Sequence, residues 1–226
     1  MDQIQKGINK IELKLKYIQS TMLENKKVYI ASMNLRGKWA ECSESGIKLN
    51  VTSAQRKESV DRKVFSPMTE IVGGYNDYYC FENYWQAGKV IEGVDQKQKT
   101  NYWKNLKECK RRYPKSKDKK IVGAVYPDVN PGKLYNYIES RKEVYVPQYY
   151  ALIKDSERLE YYKRQLKEKN IIVYDFDGPR DINGEPVCLE VNLELLKNKI
   201  NDTRHPFGHG YVVAASLLNI EPEEYT

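Results

Sequence analysis

Apolar side chains at Ile4, Ile8, Ile11, Leu15, Ile18 and Met22 recur at intervals of 4, 3, 4, 3 and 4 residues, the seam of an amphipathic helix. A helix over residues 1–27 is predicted. It is expected to dock on its own domain, because three heptads are marginal alone and Gly7 weakens the first turn. From Lys27 the pattern shortens: residues 28–31 and 48–53 read as strands, separated by the polar turn Asn34-Leu-Arg-Gly-Lys-Trp39. Gly73-Gly74 and Asn76-Asp77 mark a loop, after which residues 79–92 suit a helix of about three turns. Residues 133–141 read as a short helix, and residues 143–146 as an extended piece ended by Pro147. Residues 148–169 form a tyrosine-rich helical pattern with Leu152, Leu159, Tyr162 and Leu166 facing inward. An apolar strand follows at 171–174, and the turn Asp181-Ile-Asn-Gly184 leads to a second at 187–191. A helix over 193–200, a loop over 201–210 and an apolar helix over 211–218 complete the pattern.

Helices mixed with a few short strands, without regular alternation, predict an α+β fold rather than a doubly wound parallel sheet. The expected organisation is an N-terminal amphipathic helix (1–27) and a mainly helical single domain with a small sheet (28–226). A chain of 226 residues, 40% apolar, suits one domain of roughly 150 to 200 residues plus an extension. The longest apolar runs, such as that from Tyr211 to Leu218, fall far short of the roughly 20 residues that cross a bilayer. The N-terminus lacks a signal-peptide block, so a soluble, cytoplasmic chain without a membrane partner is expected. Cys42, Cys80, Cys109 and Cys188 are scattered and only two histidines are present. Idle thiols are therefore expected, with no disulfide framework, no metal and no cofactor.

Charge changes the picture. The net charge is +7, but residues 1–120 carry 25 basic against 14 acidic side chains (+11) and residues 121–226 carry 13 against 17 (−4). Between Lys104 and Lys120 lie nine basic residues against Glu108 and Asp118, so this segment alone equals the net charge. A phosphate-bearing partner, nucleic acid included, fits such a run, as does a solvated lysine-rich surface.

Three segments carry candidate chemistry. In Tyr79-Cys-Phe-Glu-Asn-Tyr-Trp-Gln-Ala-Gly-Lys89, helical spacing brings Glu82, Gln86 and Lys89 within about 60° of one another. A carboxylate, an amide and an amine would form one polar stripe between aromatic neighbours, as in a wall for a sugar or base. In Arg204-His-Pro-Phe-Gly-His-Gly210, Gly208 and Gly210 let backbone amides approach a ligand where a helix begins, an arrangement suited to an anion. Third, the strand Ile171-Ile-Val-Tyr-Asp-Phe-Asp-Gly178 ends in Asp-x-Asp-Gly. It resembles the first motif of haloacid-dehalogenase-type phosphatases, which would imply a nucleophilic Asp175 and magnesium-dependent chemistry. Pro179 stands where that family has Thr or Val, however, and Asp175 and Asp177 equally suit a capped turn or a pocket wall.

Together these pieces resemble the NADAR family, also seen in riboflavin-intermediate N-glycosidases. Phe65-Ser66-Pro67 matches its first motif, and Tyr79, Glu82, Gln86 and Lys89 match its aromatic-x-x-Glu-x-x-x-Gln-x-x-Lys helix. Ser140-Arg141 is similar to its third piece, and Phe207-Gly208-His209-Gly210 to its late Trp-Gly-x-Gly loop, with phenylalanine for tryptophan.

The resemblance implies cleavage of an N-glycosidic bond at ribose C1′ in ADP-ribose conjugates or phosphorylated ribosyl-pyrimidine intermediates. It gives Glu82 the stabilisation of an oxocarbenium ion, and Lys89 either phosphate binding or attack at C1′. Asp202, His205 or His209 would protonate the leaving nitrogen. Ser66, Trp85, Gln86, Arg141, His205, Phe207, Gly208 and Gly210 would hold substrate. The competing class is a non-catalytic nucleic-acid-binding protein, in which the basic segment tracks phosphates and tyrosines stack on unpaired bases.

Overall fold

The two most apolar strand patterns pair with each other at the centre of the molecule. In the computed structural model, which describes residues 26–33 and 39–226, Val28–Ser32 (β1) and Ile171–Asp175 (β5) are buried along their whole length. They run parallel, from Val28 opposite Ile171 to Ser32 opposite Asp175. Ile47–Asn50 (β2) lies parallel on the far side of β5, and Cys188–Glu190 (β6) antiparallel on the far side of β1, in the order β2-β5-β1-β6. Pleating divides the side chains: Val28, Ile30, Ile171 and Val173 enter the main core, whereas Tyr29, Ala31, Ile172 and Tyr174 face the other way. Trp39 covers that second face, its ring 4.5 Å from Tyr174. Because the central strands are parallel, Ser32 and Asp175 emerge together at their carboxyl ends, the side on which ligands bind in such sheets.

The helices pack on the main-core face. They are Val60–Phe65 (α1), Phe81–Gly88 (α2), Gln96–Lys104 (α3), Tyr137–Ser140 (α4), Val146–Ile153 (α5), Glu157–Leu166 (α6), Leu193–Asn201 (α7), His209–Leu217 (α8) and Pro222–Tyr225 (α9). Every residue of α8 is buried; a helix apolar all round belongs in the middle, and α8 touches β1, β5, α5 and α6. A two-stranded sheet of Lys89–Ile91 (β3) and Ile121–Ala124 (β4) follows α2 in the chain and packs on α4. Among the described residues no helix is long and apolar enough to cross a membrane. The α+β architecture with a small sheet of short strands is therefore as expected. The N-terminal helix lies, but for Lys26 and Lys27, outside the described residues, as does most of the turn before Trp39.

Tertiary packing redraws four local expectations. The helix expected over 79–92 stops at Gly88, and Val90 and Ile91 continue as a strand paired with β4. Gly88 lies against Tyr126, and its carbonyl accepts from Val125 N. Residues 143–146 are helical, not extended: a π-helical turn, Arg141–Tyr145, joins α4 to α5, and Pro147, which has no N–H to donate, follows that turn directly in the first turn of α5. The single helix over 148–169 breaks at Ser156, whose hydroxyl caps α6, and rotation at the break leaves Leu152 39% exposed while Leu159 is buried. Last, Cys42 and Cys188 are a disulfide rather than idle thiols, with Cα atoms 5.4 Å apart, because β6 carries Cys188 opposite Ala31.

Gly88 supplies a test of this packing. Alanine normally gains about 1 kcal/mol over glycine within a helix, but a Cβ here would lie 2.2 Å from the Tyr126 ring. Overpacking of this kind costs about 1–3 kcal/mol, so Gly88→Ala is expected to lower the urea midpoint; a raised midpoint would show that Tyr126 moves freely aside.

Candidate active site

Two local devices hold the acid-bearing helix. The N–H of Glu82 donates to Pro67 O at 2.8 Å, so the Phe65-Ser-Pro67 stretch caps the first turn of α2 in place of a side chain. At the other end, Ala87 O accepts from Gln96 Nε2 at 3.2 Å and from the ammonium of Lys99. Lys99 is fully buried, and a cation at the carbonyl end of a helix is favourably placed. Burial pulls the Lys99 amine down to about 8, with Lys89 a smaller cause. Lys89 follows directly as the first residue of β3.

A cavity of about 900 Å³ opens at the carboxyl ends of β1 and β5. Glu82 and Gln86 border it from α2, and Lys89 from β3, so the polar stripe is assembled across a helix-to-strand joint. Gln86 Nε2 donates to Glu82 Oε1 at 2.7 Å. Burial pushes the Glu82 carboxyl up, opposed by the Gln86 hydrogen bond and the Lys89 charge. Burial likewise pulls the Lys89 amine down, with Glu82 and Asp177 opposing. Ser66 and Tyr145, the latter carried by the π-helical turn, complete this wall.

Asp175, Asp177 and His209 also border the cavity. Gly210 N donates to Asp175 Oδ2 at 2.8 Å, His209 Nδ1 lies 3.4 Å from the same oxygen, and His209 Nε2 lies 3.0 Å from Val51 O. The amide seat at the start of α8, expected to receive a ligand anion, thus holds the chain's own carboxylate. A Cβ on Gly208 would come within 2.5 Å of Asp175 Oδ2 and 2.6 Å of Asp177 Cβ, and one on Gly210 within 2.6 Å of Asp175 Cβ. The glycines make room for carboxyl groups. Asp177 is an exposed residue at the cavity edge, where neighbouring protein atoms partly desolvate its carboxyl. That desolvation, then the Asp175 charge, pushes it up to about 6.

The rim is cationic. Arg111, Arg112, Lys117 and Lys119 border the same cavity, so part of the basic segment shares the site with the polar stripe, while Lys104 and Lys110 pair with Asp77 and Glu108. Arg111 is steered by Ser53 Oγ, 3.4 Å from its Nη2.

Five expected ligand contacts lie elsewhere. Arg141 is buried, donating to Asp202 O at 2.8 Å and His205 O at 2.7 Å; it ties the loop after α7 rather than facing the cavity. Asp202 is gripped by Arg204, whose guanidinium holds the carboxyl well below its usual range, and neither Asp202 nor His205 borders the cavity. Phe207 stacks on Tyr211 at 4.6 Å in the core. The Trp85 indole stacks on Tyr126, with ring centroids 5.6 Å apart and planes 9° from parallel. Sequence reasoning gave Asp175 and Asp177 a phosphatase-like motif, a capped turn or a pocket wall, and placed Arg111 and Arg112 in a run suited to phosphate or to solvent. Thr52, which also borders the cavity, left no signal.

Fold and site define an α+β domain with a mixed-charge cavity at the carboxyl ends of its strands. The chain belongs to a family of unknown function (DUF6939), which matches residues 41–190. The match includes the cavity residues from Ser66 to Asp177 and stops short of His209. Comparison with curated proteins and with solved structures found no match.

An Asp carboxyl raised in the folded state stabilises the fold below its unfolded value, near 3.8, and that contribution is lost as pH rises toward about 6. Asp177→Asn is therefore expected to raise the melting temperature at pH 7.5 and to change it less at pH 4. Equal shifts at both pH values in thermal melts would exclude charge as the cause.

Proposed function

We propose that the protein is an N-glycosidase, cleaving the bond between ribose C1′ and a base or amine in a nucleotide-derived substrate. The observation that carries this reading is the convergence of Glu82, Gln86, Lys89 and Ser66 on one cavity with a cationic rim. These are the residues that match the NADAR motifs most fully, and the cavity volume of about 900 Å³ is within the range of small-molecule sites.

Departure of the base leaves positive charge at C1′ and the ring oxygen. A carboxylate held beside it stabilises that charge where water cannot screen it. Gln86 fixes Glu82 by one oxygen, leaving the other for C1′ and an incoming water. Lys89 has two available roles: as an ammonium it binds phosphate, and as the neutral amine that burial favours it attacks C1′ and forms an imine with the opened sugar. Arg111, Arg112, Lys117 and Lys119 meet the phosphates, Arg in the bidentate manner suited to them.

The basic rim also bears on the second reading, nucleic-acid binding. Because it borders the cavity rather than a separate face, phosphate recognition and sugar chemistry are compatible in one substrate, such as an ADP-ribosyl group on a nucleobase. The phosphatase reading is disfavoured because Asp175 is almost wholly buried, its carboxyl packed against Gly210 N and His209 at the start of α8. A nucleotide-derived substrate suits action in the cytoplasm.

Glu82→Gln should lower base release from a phosphorylated N-riboside or an ADP-ribosylated nucleobase by roughly 10²–10³-fold, measured chromatographically. Undiminished turnover would remove Glu82 from the chemistry. Borohydride should trap a sugar on the wild-type chain and not on Lys89→Ala if the imine forms; equal trapping in both rules it out.

A further inference from the structure

We propose that Asp177 is the general acid that delivers a proton to the departing nitrogen, an assignment that rests on the glycosidase reading above. Breaking a C1′–N bond leaves the electron pair on a base that departs poorly as an anion, so the reaction needs a proton donor facing the carboxylate that steadies the sugar. Asp202 and His205 lie away from the cavity. His209 borders it, but both ring nitrogens face protein acceptors, Asp175 Oδ2 and Val51 O. Asp175 holds the first turn of α8 through Gly210 N, and Glu82 is bound by Gln86. Asp118 stands between Lys117 and Lys119 in the basic rim, where neighbouring cations suit a carboxylate rather than a proton donor.

Asp177 remains. It borders the cavity, and among the described residues it takes part in no hydrogen bond or ion pair. Gly208 lacks the Cβ that would meet it at 2.6 Å. The charged groups that act on it come from the surrounding elements: Asp175 at the end of the preceding strand, His209 from α8, Glu82 from α2, Lys89 from β3 and Arg111 from the rim. Crowding by protein and by the Asp175 charge keeps part of it protonated near neutrality.

The step balances. As C1′–N breaks, its electrons move to nitrogen and the Asp177 proton joins them; water adds to C1′ and its proton passes to Glu82. Asp177 then regains a proton from solvent and Glu82 loses one, so the net change is hydrolysis. The acid form is present below a pH of about 6 and lost as pH rises through it, so kcat is expected to fall across that interval.

The test compares wild type, Asp177→Asn and Glu82→Gln on two substrates. One is a phosphorylated N-riboside of an unactivated base; the other is 4-nitrophenyl riboside 5′-phosphate, whose phenolate leaves without a proton. Asp177→Asn should lose roughly 10²–10³-fold in kcat on the first, retain turnover of the second within about fivefold, and lose the alkaline limb of the pH profile. Glu82→Gln should lose both substrates, because both pass through the same sugar cation. Equal losses on the two substrates in folded Asp177→Asn, or an alkaline limb that persists in it, would overturn the acid assignment while leaving the glycosidase reading intact. A wild-type chain inactive on both would overturn the two together.

Discussion

The carboxylate of Asp175 is buried against the first turn of α8, and the site is built around that contact. A buried charge needs compensation, supplied here by the Gly210 amide, the partial positive charge of a helix start and His209 beside it. The contact is only as close as it is because residues 208 and 210 have no side chain. It locks the end of the central strand to the most buried helix, and so sets where the chain turns and where Asp177, two residues later, emerges.

Elsewhere around the cavity the constraint is the joint between α2 and β3. Helix geometry alone would carry Lys89 onward around α2. Gly88 against Tyr126, and the two donors from α3 on Ala87 O, end the helix one residue earlier. An acid and an amine then share a desolvated space without direct pairing: burial drives the acid up and the amine down, while each one's charge resists the other's shift. That balance keeps proton affinities mobile, which is useful for chemistry and unfavourable for stability. The π-helical turn that presents Tyr145 has the same character.

The rim gives the cavity polarity. Arg111, Arg112, Lys117 and Lys119 are exposed residues that border the same cavity as Glu82 and Asp175, so an anionic tail is drawn to them while the less charged part of a ligand reaches the carboxyl groups. Long-range attraction of this kind is weakened by salt, whereas buried contacts are screened far less.

Much of the architecture was legible in the chain: the apolar strands at 28–31 and 171–174, the final helix and the Glu82–Gln86 pairing follow from periods of 2 and 3.6, which are local properties. Glycine at 208 and 210 was legible as a need for close approach, though not as an approach to the chain's own aspartate. The break at Gly88, the disulfide between Cys42 and Cys188, the inward burial of Arg141 and Phe207, and the meeting of the basic segment with the polar stripe were decided by tertiary structure. The break at Gly88, the disulfide and the burial of Arg141 depend on partners distant in sequence, such as Tyr126 for Gly88 and Asp202 for Arg141. Periodicity reports which face of an element avoids water; it carries no information about which other element will cover that face, and that choice made the cavity.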